Sequence, residues 1–193
     1  IPDDIKSCAI TRFIIHGAVV TQLQSFQDSV EPLLQCHKDL KLQGGMTNFM
    51  FGSLLNHFQA YYAAGLELGP ILESKLVLAE NQCQALQQPG FLTNFQISRQ
   101  LALNLRTRTN NPTKLYGDAF CEEEELSKLN SNKHKMALRD SSAARLQLAF
   151  IFWDEDAMIK MLDILKNYTM SDVSLARLHN RLCFVGLAAF ALD

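Results

Sequence analysis

The histidines of this sequence are the first residues whose type could support catalysis or metal binding. His16, His57 and His179 fall among apolar residues of predicted helices, and none has a histidine or carboxylate three or four positions away. A pair of metal ligands on one helix needs that spacing. We expect these three side chains at the edge of the core, bonded to backbone or neighbours. We expect His134, in a lysine-rich polar turn, to be solvated.

Two charged clusters could bind ions. Arg99, Arg106 and Arg108 could hold an anion together, although we favour the interpretation that they line the solvated face of one helix. Residues 122–125 are four consecutive glutamates at the predicted start of a helix, where carboxylates are stabilised by the helix dipole. Because a hard cation needs oxygens that converge from several directions, a capped and solvated helix start is favoured over a metal site.

Motifs for covalent catalysis or phosphate binding are missing from the sequence. No serine or cysteine has the context of a nucleophile elbow, and Gly44 and Gly45 lack the preceding strand and the lysine of a phosphate loop. The cysteines occur singly, which is typical of reduced and mostly buried thiols; they are Cys8, Cys36, Cys83, Cys121 and Cys183. The sequence therefore predicts no enzyme, no cofactor, and no catalytic, cofactor-binding or metal-binding residue.

Length and composition are those of one globular domain. The chain has 193 residues, of which 48% are hydrophobic, and its 18 basic and 20 acidic residues give a net charge of −2. This balance favours neither nucleic acid nor an anionic membrane surface as a partner. The longest apolar run, 182–192, is shorter than the roughly 20 residues that cross a bilayer. We expect a cytoplasmic protein, since no signal-peptide pattern is present. Because the sequence opens Ile1-Pro2 without a methionine and closes inside an apolar helix, we expect a piece of a longer chain.

Hydrophobic residues recur at three- and four-residue spacing along the chain, and no period-two alternation interrupts them, so the fold class is all-α. Among the positions expected to face inward are Leu86, Trp153 and Ala189. Polar residues 130–135 are predicted to break the helices, and Ser171 to cap the last one. The predicted helices are 7–26, 28–42, 47–65, a helix ending near 86, 91–108, a short helix from 122, 136–153, 157–168 and a last helix after 171.

One segment repeats at an offset of 88 residues. Residues 61–71 and 149–159 both read as the end of an aromatic-rich helix, a three-residue turn with an acidic centre, and a small residue, Gly69 or Ala157, that opens the returning helix. This resembles the tetratricopeptide plan, in which antiparallel helical hairpins stack into a superhelix. We therefore predict one helical-repeat domain over 1–193; an irregular helical bundle is the alternative.

The segment around residues 99–123 carries a family resemblance. Its motif residues are Arg99, Gln100, Asn104, Leu105, Pro112, Leu115, Gly117, Phe120, Glu122 and Glu123. They resemble the helical region that follows the ATPase module in signalling proteins of the predicted-ATPase, or STAND, type, and the likeness extends over most of 44–165. That region is tetratricopeptide-like and is often linked to protein-kinase, GAF and histidine-kinase domains. The resemblance implies no nucleotide-binding residue in this chain.

These observations lead to two functional hypotheses. The first is a non-catalytic scaffold or regulatory linker that contacts other proteins or neighbouring domains of a signalling ATPase or kinase. Self-association is a further contact that this hypothesis allows. The alternative is a small-molecule sensor with an apolar cavity between helices. An aromatic set motivates the sensor, although such a stripe is more often plain core; it consists of Phe49, Phe51, Phe58, Tyr61 and Tyr62.

Overall fold

The computed structural model describes residues 3–20, 23–44, 47–107, 109–128, 131–167 and 175–192, with the side chains of 3–7, 70–71, 131–136 and 175–182 left out. These residues form α-helices and no β-strand, which confirms the all-α class. No helix among them is both long and apolar enough to cross a membrane. The helices are α1 (Asp3–Ile14), α2 (Gln27–Gln43), α3 (Thr47–Ala63), α4 (Pro70–Ala85), α5 (Pro89–Arg106), α6 (Glu122–Ser127), α7 (Ser131–Phe152), α8 (Glu155–Lys166) and α9 (Leu175–Leu192).

Contacts between residues divide the chain into two compact units. Unit 1 comprises Ile1–Glu67 and Val173–Asn180, and unit 2 comprises Leu68–Asp172 and Arg181–Asp193. In unit 1, α2 and α3 form an antiparallel hairpin whose core contains fully buried Leu33, Phe51 and Phe58. The single helical-repeat domain over 1–193 stays a prediction.

Unit 2 contains two further hairpins. Helices α4 and α5 run antiparallel, as two ion pairs between them indicate: Arg99 pairs with Glu80, and Arg106, further along α5, pairs with Glu73, nearer the start of α4. Helices α7 and α8 pack through one apolar cluster to which α9 adds a residue; its buried members are Leu146, Ala149, Met158, Met161 and Ala188. The short helix α6 packs against α7. The apolar contacts of the α7–α8 cluster follow from the three- and four-residue apolar spacing in the sequence.

The first helix differs from its predicted extent of 7–26. It is α-helical only to Ile14 and continues as a π-helix over Ile15–Val20. A π-helix inserts an extra residue into the turn and so shifts which side chains face the core. Gly17 lies there, and a Cβ on it would come 3.0 Å from Asn56 Nδ2, so the π-helix passes close to α3. Three- and four-residue spacing does not reveal such an insertion.

The predicted break at 130–135 was wrong, because α7 already begins at Ser131. The segment is polar but contains neither glycine nor proline, and lysine is a good helix former. Polarity alone does not end a helix. The cap predicted at Ser171 lies outside the described residues.

Three residues that were predicted to face inward do not. Leu86 is 48% exposed, because α4 ends one residue earlier. Trp153 is 60% exposed, because α7 ends at Phe152. In α9 the buried residue is Ala188, while Ala189 is exposed. Two of these errors come from placing a helix end a residue too late.

The two repeated corners share a backbone conformation but not a turn length. Gly65 and Trp153, which the offset of 88 aligns, both have positive φ, at 67° and 56°. After that residue the backbones of the two corners differ. Gly69 precedes α4 directly as its N-cap, whereas Ala157 is already inside α8, whose N-cap is Asp154. The predicted equivalence of Gly69 and Ala157 was therefore wrong, since the second corner is the shorter one.

Candidate functional site

Two buried amide side chains on α5 hold the long loop that follows this helix. Asn104 Nδ2 donates to the carbonyl oxygens of Pro112 and Lys114, at 3.0 and 2.6 Å. Gln100 Nε2 donates to Asn104 Oδ1 at 2.8 Å. A loop normally leaves its backbone polar groups to water, and here side chains bond them instead. The loop is thereby fixed to the helix.

The far side of the same loop is bonded by Gln100. Its Oε1 accepts the backbone N–H groups of Ala119 and Phe120, at 3.1 and 3.3 Å. Gly117 passes so close that a Cβ there would lie 2.7 Å from Gln100 Nε2. A side chain at 117 would displace the Gln100 amide from the hydrogen bonds that it makes with Asn104 and the loop. Several residues of the resemblance motif thus meet at one buried hydrogen-bond network, which we call the loop clamp. Gln100, Asn104, Pro112 and Phe120 take part in its hydrogen bonds, and Gly117 packs against Gln100.

A second set of polar contacts ties the loop to α7 and α8. Arg145 donates to Glu122 Oε2 at 3.1 Å and to the Thr113 carbonyl at 3.3 Å. Ser141 Oγ donates to the other oxygen of Glu122 at 3.0 Å. Thr113 Oγ1 donates to Asp154 Oδ2 at 2.7 Å, and Asp154 Oδ1 caps α8 by accepting the Ala157 N–H. The hydrogen bond between Thr113 and Asp154 therefore joins the loop to the corner at Trp153.

A groove with a volume of about 540 Å³ opens beside this network. Its floor contains buried Leu115 and Leu126, and its rim carries Tyr116, which is 72% exposed. We call it the α6 groove; it is lined by Asn111, Lys114, Leu115, Tyr116, Glu122, Glu123, Leu126, Arg145 and Lys160. A space of this size with an apolar floor and a charged rim can accommodate a small molecule or a side chain of a partner.

The arginines of the predicted anion site are separately engaged. Arg99 donates to Glu80 at 3.1 Å and Arg106 donates to Glu73 at 2.7 Å, both across the α4–α5 hairpin. Burial raises the pKa of Glu80, although the Arg99 charge opposes this shift. Arg106 is exposed, as expected of a solvated face, whereas Arg99 is half-buried in its ion pair with Glu80. Arg108 lies outside the described residues.

The predicted histidines have different environments. His57 is buried, and its Nδ1 donates to the Val30 carbonyl at 2.8 Å, as expected of a core-edge histidine. His16 Nδ1 is buried without a hydrogen-bond partner among the described residues, and burial lowers its pKa. The side chains of His134 and His179 lie outside the described ones. The sequence reasoning overlooked His37, whose Nδ1 donates to the Met50 carbonyl at 3.0 Å.

The cysteines are all free thiols. Burial raises the pKa of Cys36 to about 11 and that of Cys83 to about 12. Cys8 and Cys183 are exposed, so the prediction of mostly buried thiols holds only for part of the set. A buried thiol with a raised pKa carries little thiolate and is a poor nucleophile.

The four glutamates do begin a helix, α6, as predicted. Glu122 belongs to the network with Arg145, while Glu123 and Glu124 are exposed. Within the described part of the chain, no group of three or more histidine, cysteine, aspartate or glutamate side chains is placed to hold a metal ion.

The aromatic set that suggests a sensor is divided between core and surface. Phe51 and Phe58 are fully buried, and Phe49 is partly exposed and meets Phe13 edge to face at 6.0 Å. Burial raises the pKa of Tyr62 above its ordinary value. The small-molecule sensor stays a prediction.

Sequence reasoning singled out the loop but overlooked the residues that define the groove. Lys114, Arg145 and Lys160 are ordinary charged residues whose spacing in sequence carries no signal, because the loop and two helices bring them together. The exposed aromatic Tyr116 was the one detectable hint. Comparison with known proteins found no matching family model, no similar curated protein and no similar solved structure.

Proposed function

We propose that this chain is a non-catalytic helical-repeat scaffold, tetratricopeptide-like in its stacking of hairpins, that contacts other proteins or neighbouring domains of a multidomain signalling protein. The antiparallel hairpins α2–α3 and α4–α5 support this architecture. So does the shared positive φ of Gly65 and Trp153 at equivalent positions of the sequence repeat. The resemblance to STAND-type signalling ATPases and kinases suggests a cytoplasmic parent protein.

The observation that carries the proposal is the pair of exposed aromatic side chains on a fixed backbone. Tyr116 lies on the clamped loop and Trp153 on the corner that Asp154 ties to this loop. Exposed tyrosine and tryptophan are frequent anchors of protein interfaces, because they bring a large contact area and few rotatable bonds. A backbone that is already ordered adds little further entropy cost on binding.

Trp153 supports the proposal in a second way. A bulky residue at positive φ is strained by roughly 1–2 kcal/mol, and glycine would relieve this strain. Phe152 and Ile151, directly before it, are also exposed. Trp153 keeps a ring contact with Phe150 at 6.5 Å, but most of its surface and much of the other two side chains face solvent. A partner surface that covers them accounts for their placement.

Site-specific photocrosslinking would test this function. A benzoyl-phenylalanine introduced at position 116 or at 153 of the full-length protein in its own cells is expected to crosslink to one and the same partner or neighbouring domain. The matched control is position 78, where Leu78 is exposed on α4. Absence of a crosslink at both 116 and 153, or identical products at 78, would overturn the proposal.

A further inference from the structure

We propose that the α6 groove binds a peptide segment of the partner in which an acidic side chain lies next to an apolar one. This inference rests on the proposed scaffold function and names the chemistry that its charged groove would recognise.

The charges of the groove determine the sign of its ligand. The charge of Arg145 is neutralised by Glu122, at 3.1 Å. Among the described residues, no hydrogen bond or ion pair joins Lys114 or Lys160 to a carboxylate, and both line the groove. Only Glu123 opposes these two ammonium groups in the lining. The groove therefore has an excess of positive charge, which favours an anionic group.

The apolar surface of the groove determines what accompanies the anion. Leu115 and Leu126 form its floor and Tyr116 stands at its rim. Leu115 and Leu126 are already buried, so a small inorganic anion would leave mainly the exposed ring of Tyr116 in water. An apolar side chain beside the acid would cover it.

The glutamates of α6 argue against a polyanion. Glu123 and Glu124 are exposed on the same short helix that borders the groove, and Glu125 pairs with Lys128. Repulsion by these carboxylates grows with each phosphate of a nucleic acid strand, whereas a single carboxylate can reach Lys114 and Lys160 alone. A peptide with one acidic residue at the contact fits this pattern of charges.

The loop clamp keeps the groove in shape before the peptide arrives. Lys114 and Tyr116 stand on the backbone whose carbonyl at Lys114 is bonded by Asn104 at 2.6 Å. Their positions are therefore set by α5 and not by the ligand. Preorganisation of this kind leaves more of the contact energy for binding.

Selection from a random 12-residue peptide display library against the intact immobilised chain would test the inference. Enriched peptides are expected to carry Asp or Glu within two positions of a large apolar residue. For the most enriched peptide, made synthetically with a fluorophore, Lys114→Glu combined with Lys160→Glu is expected to raise Kd about tenfold or more. The neutral pair Lys114→Met and Lys160→Met is expected to weaken binding less.

The matched control is Lys75→Glu combined with Lys166→Glu, which makes the same charge change on exposed residues outside the groove lining. It is expected to leave Kd unchanged. Thermal unfolding by circular dichroism checks that each variant is folded, and the methionine pair replaces the glutamate pair if the latter unfolds. Replacing the acidic residue of the peptide by its amide is expected to match the loss in the lysine variants.

The outcomes separate this inference from the function on which it rests. If enriched peptides lose affinity in Tyr116→Ala with Trp153→Ala but bind the lysine variants as well as the wild type, the scaffold function stands and the acidic specificity is overturned. If no peptide family is enriched, or if enriched families lack an acid preference, the inference is overturned. The crosslinking experiment then decides the scaffold function by itself.

Discussion

The two units hold their buried polar groups with different chemistry. In unit 1, the imidazoles of His37 and His57 donate to backbone carbonyls across the α2–α3 hairpin. In unit 2, the amides of Gln100 and Asn104 bond the loop, and Arg145 and Glu122 pair beside it. An imidazole changes its charge near neutral pH, whereas an amide never does. We infer that the units respond differently to acid and to single substitutions.

The largest effect is expected in unit 2 from Gln100→Leu. The leucine cannot accept the N–H groups of Ala119 and Phe120 and cannot donate to Asn104, so three buried groups lose their partner. We expect the free energy of unfolding of unit 2 to fall by about 3 kcal/mol. Denaturant titration followed by hydrogen exchange of each unit measures it. The control Gln84→Leu, on the exposed face of α4, is expected to change stability by less than about 0.5 kcal/mol.

Equal destabilisation of unit 1 and unit 2 by Gln100→Leu would contradict the claim that the two units are stabilised by different polar groups. The same small effect of Gln100→Leu and Gln84→Leu would also contradict it, because the Gln100 amide would then not hold the loop.

A smaller loss is expected from Asp154→Ala. The aspartate caps α8 and accepts from Thr113, so its removal leaves both donors without this partner. We expect a loss of about 2 kcal/mol in unit 2, of which about 1 kcal/mol comes from the cap. Thr113→Val, which removes only the second bond, is expected to cost about half as much by the same denaturant measurement. Equal losses from both substitutions would show that the cap contributes nothing.

Acid is expected to destabilise unit 1 between pH 7.5 and 5.5. Unit 2 is not expected to lose stability there, because burial raises the pKa of its Glu80 and a raised carboxyl pKa favours the folded state at lower pH. Burial lowers the pKa of His37, and the nearby Lys41 and Lys38 charges act in the same direction, while the bond to Met50 opposes it. The unfolded chain therefore binds a proton below pH 6.5 that the folded unit resists, so stability is full above 6.5 and falls as the pH decreases below it. The slope is at most about 1.4 kcal/mol per pH unit for this group.

Hydrogen exchange of α2 and α3 against pH measures that slope, and His37→Gln is the control that should reduce it. The remainder is expected from His16, whose pKa burial also lowers. A slope of equal size in unit 2, or one that is unchanged in His37→Gln, would contradict the assignment.

The smallest effect concerns the backbone of the two corners. At Trp153 we expect the glycine variant to be more stable than the alanine variant by about 1 kcal/mol, because only alanine is strained at positive φ. Gly65→Ala is expected to cost a similar amount. Thermal unfolding of the three variants measures these differences. Equal stability of Trp153→Gly and Trp153→Ala would mean that the second corner is not left-handed.

The sequence predicted the helices correctly but placed several of their ends incorrectly. Apolar spacing correctly predicted the all-α class and the buried faces around Leu76, Phe95 and Met158. It placed Trp153 inside, because one further residue of α7 would turn that side chain to the core. The π-helix at Ile15–Val20 escaped notice because it changes the period within a single turn.

The sequence singled out the loop segment of the candidate site but did not identify the residues that the fold brings to it. Residues 99–123 stood out by their turn chemistry and by the resemblance, and the structure gathers several of them in the loop clamp. The partners of the loop could not be predicted, since Arg145 and Asp154 are distant in sequence and meet Thr113 only through the packing of α7 and α8. Charged residues carry no periodic signal that identifies their partners.

The central claim is that the loop carrying Lys114 and Tyr116 is held rigidly for contact with a partner, and amide hydrogen exchange at Ala119 and Phe120 tests it most directly. Their N–H groups are bonded only to Gln100 Oε1 among the described contacts. We expect both amides to exchange as slowly as those in the middle of α5, and to lose this protection in Gln100→Leu but not in Gln84→Leu. Exchange at the rate of an unprotected loop in the wild-type protein would contradict the claim.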